Sequence, residues 1–120
     1  MNLQDVLIKF ALIADLTLEE AAPLSPICSD AVDEITVKIK DGVDNEINSR
    51  RLTAAAAALS FYKYSLYRAS GAGMGGFTAG DIKVESQSDA SVKSALSVWA
   101  EAKDSIADLL ADKDFVFRRV

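Results

Sequence analysis

Residues 47–69 read INSRRLTAAAAALSFYKYSLYRA, and this stretch decides the fold of the chain. Residues 54–58 are all alanine, the strongest helix former, whose small methyl lets a neighbouring helix approach closely. A second apolar stripe, which includes Phe61 and Ser65, lies beside the first and widens the apolar face. The first stripe repeats at spacings of three and four, at Leu52, Ala55, Leu59, Tyr62 and Leu66. The pattern therefore predicts a central helix that is contacted from several sides.

The composition is that of one ordinary domain with a core of its own. The chain has 120 residues, of which 50% are hydrophobic and 26% are charged. Its net charge of −5 argues against a surface that grips nucleic-acid phosphates, although nucleic acid could pass by such a protein without being held. It has no histidine, which removes the commonest general base and metal ligand. We expect neither an enzyme nor a cofactor or metal site.

Compartment signals point to a reduced, intracellular protein outside the membrane. The first ten residues, MNLQDVLIKF, lack a basic leader and a small-residue cleavage site, so we expect no signal peptide. No apolar run approaches the roughly 20 residues of a membrane span. The single cysteine, Cys28, excludes an internal disulfide and leaves only a bond between two chains. Its position on an apolar stripe predicts a buried residue rather than a reactive thiol.

The sequence before the central stretch begins with a helix and a short turn. Residues 2–14 are amphipathic, and Asn2 is a candidate N-cap. Thr17 and Glu20 have the spacing of a capping box, which predicts one helical turn that ends at Pro23.

Residues 25–40 are predicted to form the next helix, with Ser25 as N-cap and Pro26 in its first turn. The end of this segment, EITVKIK, is rich in β-branched residues, so a strand that alternates at Ile35, Val37 and Ile39 is an alternative. Asp41 and Gly42 then predict a stop and a turn.

The following residues, DGVDNE, suggest a calcium loop through Asp41, Asp44, Asn45 and Glu46. They lack the full alternation and the distal glutamate of an EF-hand. We therefore favour Asp44 or Asn45 as the N-cap of the central helix.

The character of the sequence changes after the central helix. Residues 71–87 contain the glycine cluster GAGMGG and the segment FTAGDIKVES, which predict a glycine-rich loop followed by a short β-strand or hairpin. The loop lacks the Gly-Lys-Ser/Thr ending of a phosphate-binding loop. A last helix is predicted from Ser88 or Asp89 to about Asp112, with Trp99 as a core anchor.

The predicted fold class is mainly α, a small bundle of about four helices with this short strand or hairpin and an extended tail. Residues 1–113 form a single helical domain, and residues 114–120 form a C-terminal arm. Phe115 and Phe117 alternate with Val116 and Arg118 in the arm, as in a strand. Such an arm either folds back on its own core or adds to another chain.

With these elements assembled, the chain resembles the head–tail connector, or adaptor, proteins of long-tailed double-stranded DNA bacteriophages and their prophage relatives. The resemblance rests on SRRLTAAAAALSFYKYSLYRAS at 49–70, FTAGDIKVES at 77–86 and SDASVKSALSVWAEAKDSIADLL at 88–110. The resemblance covers residues 46–112 well. The first half of the chain matches only in having helices of the right size.

The resemblance implies a virion structural protein that works without chemistry. Family members form a ring, typically dodecameric, beneath the portal protein, extend the DNA channel and offer a docking surface to the tail or stopper protein. The implied location is the virion neck, after assembly in the bacterial cytoplasm, with DNA passing through without sequence-specific binding and with no membrane partner. Family members often clasp the portal with a C-terminal segment, which here matches the arm: Asp114, Phe115, Val116, Phe117, Arg118, Arg119 and Val120.

The residues predicted to be shared between subunits are apolar or aromatic and lie on the central helix and after it: Phe61, Tyr64, Tyr67, Phe77, Ile82 and Val84. Two alternative functions remain. The first is another phage neck or tail-completion protein. The second is a helical DNA-binding or regulatory module, suggested by Arg50, Arg51, Lys63 and Arg68.

Overall fold

Five α-helices follow one another along the chain in the computed structural model, which describes residues 1–70 and 80–111. They are α1 (Leu3–Ala14), α2 (Leu18–Ala21), α3 (Ser25–Thr36), α4 (Ser49–Ser70) and α5 (Gly80–Ser105), with 3₁₀ turns at Ala22–Leu24 and Ala107–Leu109. Four of these helices are long and pack together, so the prediction of a mainly helical bundle is confirmed for the described residues.

The first two helices begin where the sequence predicts. The Asn2 side chain accepts a hydrogen bond from the backbone N–H of Gln4 at 2.7 Å. Thr17 and Glu20 form a complete capping box, in which each side chain accepts from the other residue's backbone N–H, at 2.9 and 3.1 Å. Both caps satisfy N–H groups that the first turn of a helix leaves without a partner.

Helix α4 is the centre of the bundle and contacts α1, α3 and α5. Its six consecutive residues 55–60 are all buried, with at most 2% of any one exposed. Successive residues point about 100° apart around a helix, so this middle section is enclosed on every side. Trp99 of α5 is 1% exposed and belongs to the same core cluster, which confirms it as a core anchor.

The third helix differs from its prediction at both ends. Ser25 is already helical and continues directly from the 3₁₀ turn, so it is not the N-cap. The helix ends at Thr36, and Ile39 pairs with Leu110 in an isolated antiparallel bridge. The Lys40 N–H donates to the Leu109 carbonyl at 3.0 Å, and the Ala111 N–H donates to the Lys38 carbonyl at 2.8 Å. Residues 38–40 thus pair in an extended conformation with residues 109–111 and do not continue the helix.

The predicted strand is wrong where the structure describes it. Residues 80–87 belong to α5, which begins at Gly80 instead of at Ser88 or Asp89 and ends at Ser105. A helix satisfies its own backbone, whereas a lone short strand needs a partner to do so. Residues 81–105 contain no glycine or proline, so nothing in them interrupts a helix that has started at Gly80. The glycine cluster at 71–76 and Phe77 lie outside the described residues.

The turn between α3 and α4 follows its prediction only in part. Gly42 has a φ of +88°, a left-handed backbone that favours glycine. The Asp44 carboxylate accepts from the backbone N–H groups of Glu46 and Ile47 at 2.9 and 3.0 Å. Asp44 therefore caps the turn at residues 45–48, which leads into α4 at Ser49.

Candidate interaction surface

The C-terminal half of α4 carries three aromatic side chains that the core covers only in part. Phe61, Tyr64 and Tyr67 are all half-buried, and we call them the aromatic surface. Leu52 and Leu59 of the first apolar stripe are fully buried, whereas Leu66 of the same stripe is only half-buried. Among residues 61–69 of α4, only Tyr62 and Ser65 are therefore buried.

One member of the aromatic surface, Tyr64, contacts α1 directly. The rings of Phe10 and Tyr64 meet edge to face, with centroids 5.5 Å apart and planes at 86°. This is a favoured geometry for aromatic pairs, and Phe10 itself is fully buried. The guanidinium carbon of Arg68 lies 5.6 Å from the centre of the Tyr64 ring, within the range of a cation–π contact. Tyr64 is thus fixed between a buried ring and a charged group.

A shallow groove where three helices meet is lined by Phe61 and Tyr64 of this surface. Ile13 and Ala14 contribute from α1, and Ser94 contributes from α5, beside Phe61 and Tyr64. Aromatic rings with a neighbouring arginine are enriched in the centres of protein–protein interfaces. The arrangement therefore suits the burial of a partner protein's apolar side chain. No group of three or more His, Cys, Asp or Glu side chains that could hold a metal ion occurs within residues 1–70 and 80–111.

Arg51 plays a structural part that the sequence reasoning missed. Its guanidinium donates to the Asp108 carboxylate at 2.6 Å and to the Ser105 carbonyl at 2.6 Å, so it joins the start of α4 to the end of α5. Arg51 holds the pKa of the Asp108 carboxyl below its usual value. The sequence offered no signal for this pairing, because Arg50 lies in the same first turn of α4 and is exposed.

The four cations that suggest DNA binding do not form one free basic patch. Arg51 is engaged with Asp108, and Lys63 forms an ion pair with Glu34 of α3. Arg68 lies over Tyr64, while Arg50 is exposed. Neutralised or dispersed cations release fewer counterions from DNA and bind it more weakly.

Cys28 lies in the core, as predicted, and is fully buried. Burial raises the pKa of its thiol, and a hydrogen bond with the Ser60 side chain opposes that rise. The Ser60 hydroxyl also donates to the Ala56 carbonyl at 2.7 Å. Cys28 therefore packs as a small apolar residue between α3 and α4.

A second apolar surface lies between α1 and the start of α4, and we call it the α1–α4 groove. Its apolar walls are Ile8, Leu12 and Ile47, which are 40%, 77% and 79% exposed. Charged residues of both signs flank them: Asp5, Lys9, Glu46 and Arg50. The sequence reasoning did not single out this groove, although Leu12 and Ile8 are one helical turn apart on the outer side of α1.

The remaining predicted interface residues are only partly located. Ile82 and Val84 lie within α5, not on a strand. Phe77 and the candidate docking arm, residues 114–120, lie outside the described residues. The structure thus brings together Phe61, Tyr64 and their neighbours and leaves the other candidates as predictions.

None of the described helices is long and apolar enough to cross a membrane. Comparisons with known proteins gave no match to a protein-family model, to a curated protein or to a solved structure.

Proposed function

We propose that the chain is a structural protein of a bacteriophage or prophage particle, a head–tail connector that forms a ring beneath the portal. In this role it extends the DNA channel and offers a docking surface to the tail or stopper protein. The proposal rests on the resemblance of residues 46–112 to that family, whose rings are typically dodecameric. It assigns the protein to the virion neck, after assembly in the host cytoplasm.

The observation that carries an assembly role is the aromatic surface. The middle of α4 is enclosed within one chain, yet Phe61, Tyr64 and Tyr67 remain half-exposed on the same helix. Burying such rings between subunits removes apolar area from water at about 25 cal/mol per Å². We assign these three residues to the contact between neighbouring copies, and residues 114–120 to the contact with the portal.

The net charge suits a channel through which DNA moves. A formal charge of −5 for each copy would repel phosphates, provided that the lumen shares the acidic balance of the whole chain. Strong neutralisation of phosphates would instead hold the DNA in place. The proposed protein therefore guides DNA without binding it and carries out no reaction.

The test is assembly with a portal protein, which the proposal predicts to be encoded beside this chain. The two proteins are purified separately, mixed over a range of concentrations and imaged by electron microscopy. We expect a ring docked at one end of the portal. Neither a ring nor portal binding at any concentration would exclude the connector role.

Two further outcomes separate the alternatives. Localisation in purified particles at the tail instead of at the neck would favour a tail-completion protein. Affinity for duplex DNA that falls steeply with salt would favour the DNA-binding module. An undetectable interaction with DNA at low salt would remove that module.

A further inference from the structure

A closed ring of identical chains needs two different contact surfaces on every copy. One surface of each copy binds a different surface of the next, and the rotation between them closes the circle. The proposed ring uses the aromatic surface for one side of this contact. The described chain has a second exposed apolar surface, the α1–α4 groove, where Leu12 and Ile47 are 77% and 79% exposed. Large aliphatic side chains grouped on one surface indicate a binding site more than scattered ones do.

The two surfaces lie on opposite flanks of α1. Ile8 and Leu12, one helical turn apart, line the α1–α4 groove. Ile13 and Ala14 line the shallow groove beside the aromatic surface, which we call the aromatic groove. Successive residues of a helix point about 100° apart, so Ile13 and Ala14 point about 100° and 200° away from Leu12. A copy that binds on one flank of α1 therefore leaves the other flank open to the next copy.

The shapes of the two surfaces suit each other. The aromatic groove is a hollow of about 370 Å³ between α1, α4 and α5. Leu12 and Ile47 protrude beside the other groove, because their own chain covers less than a quarter of either residue. An aliphatic side chain that fills the hollow removes its own surface and that of the facing aromatic rings from water.

Charged residues at the two grooves set the orientation of such a contact. Arg68 is exposed at the aromatic groove, and Glu46, exposed directly before Ile47, lines the α1–α4 groove. Opposite charges on facing surfaces fix the register of an interface. The α1–α4 groove also carries Lys9 and Arg50, so an orientation that sets either cation toward Arg68 is disfavoured.

We propose that Leu12 and Ile47 of each copy insert into the aromatic groove of the next copy, against Phe61. In this arrangement Glu46 of the first copy lies toward Arg68 of the second. The contact joins two different surfaces, so it propagates from copy to copy in one direction, as a ring requires. The inference names the second surface of the ring and therefore rests on the proposed function.

Mixing two complementary variants tests this contact in solution without the portal. Leu12→Asp with Ile47→Asp blocks the inserting side, and Ser94→Arg, at an exposed position of α5, blocks the aromatic groove. In analytical ultracentrifugation over a concentration series, we expect each variant alone to be monomeric and the natural protein to form larger species. The equimolar mixture should form a dimer and nothing larger, because one variant keeps its groove and the other keeps its inserting side chains.

Matched controls and a check of the fold accompany this test. Ser97→Arg on α5 and Leu18→Asp on α2 change exposed positions away from both grooves and should leave the association of the natural protein intact. Circular dichroism confirms the fold of every variant, and serine replaces aspartate at positions 12 and 47 if the acidic pair does not fold. A mixture that stays monomeric at every concentration would overturn the proposal. Self-association of either variant alone would also overturn it, because it would reveal a contact between identical surfaces or one elsewhere.

Failure of this contact can be distinguished from failure of the connector role. A ring on the portal whose copies meet without Leu12 and Ile47 would refute the contact alone. A dimer from the mixture, together with a portal that carries no ring, would refute the connector role and support the contact.

Discussion

At the scale of single residues, burial determines the chemistry of Cys28. The thiol is fully enclosed and its pKa is raised, so it stays protonated at neutral pH. We predict that iodoacetamide labels Cys28 only as fast as the protein unfolds, and mass spectrometry across a urea series measures this. Ser97→Cys, at an exposed position of α5, provides a rapidly labelled reference. Equally rapid labelling of Cys28 in the native protein would contradict its burial.

The contact between Arg51 and Asp108 predicts a specific dependence of stability on pH. The folded-state pKa of Asp108 is lowered, so its stabilising contribution is present above the ordinary pKa of aspartate and is lost as the pH falls through the folded value. Asp108→Asn should therefore lower the urea midpoint slightly at neutral pH, by an amount that shrinks in acid and in high salt.

Urea titrations over the acidic range measure this difference. Asp104→Asn removes a charge from an exposed position near the end of α5 and controls for net charge. A gap between Asp108→Asn and the natural protein that stays constant at every pH would show that the carboxylate's charge contributes nothing.

At the scale of elements, the alanine run of α4 sets how closely the helices pack. Ala57 is fully buried, with neighbouring helices around it. Ala57→Leu should lower the free energy of unfolding by about 1–3 kcal/mol, because the larger side chain overfills a closely packed core. Chemical denaturation measures the change. Ala100→Leu, an exposed position of α5, serves as the matched control and should change stability by less than about 0.5 kcal/mol.

The elements also show which signals in the sequence suffice for prediction. The Asn2 cap and the Thr17–Glu20 capping box are local features, and both occur as predicted. The first apolar stripe of α4 is buried from Leu52 to Tyr62. The short strand or hairpin predicted within residues 71–87 is wrong for residues 80–87, which are helical. Alternation over a few residues is a weak signal, and whether a strand forms depends on a partner elsewhere in the chain. The predicted end of α3 at residue 40 is wrong for a related reason. Ile39 pairs with Leu110, which is far away in the sequence.

The candidate surfaces also differ in whether local sequence or tertiary packing determines them. The pattern on α4 predicted Phe61, Tyr64 and Tyr67 as residues shared between subunits. All three are half-buried within one chain, and the contact between subunits stays a prediction. The α1–α4 groove could not be found this way, because it depends on how residues 46–53 lie against α1. Tertiary packing, which a single helical period does not encode, creates that groove.

At the scale of the whole molecule, the bundle and the C-terminal arm are predicted to be separable. Because the core cluster of the described chain lies within residues 6–110, deletion of residues 115–120 should leave the helical circular dichroism unchanged. The same deletion should weaken docking to the portal, which titration of the truncated and full-length proteins against immobilised portal measures. Loss of helical signal on truncation would show that the arm belongs to the core.

The measurement that tests the proposed assembly most directly is a cryo-electron microscopy reconstruction of this protein bound to the portal protein. The account predicts a circular assembly in which the side chains of Phe61, Tyr64 and Tyr67 are buried between adjacent copies. A ring that leaves these three side chains facing water, or a portal that carries no ring at all, would contradict it.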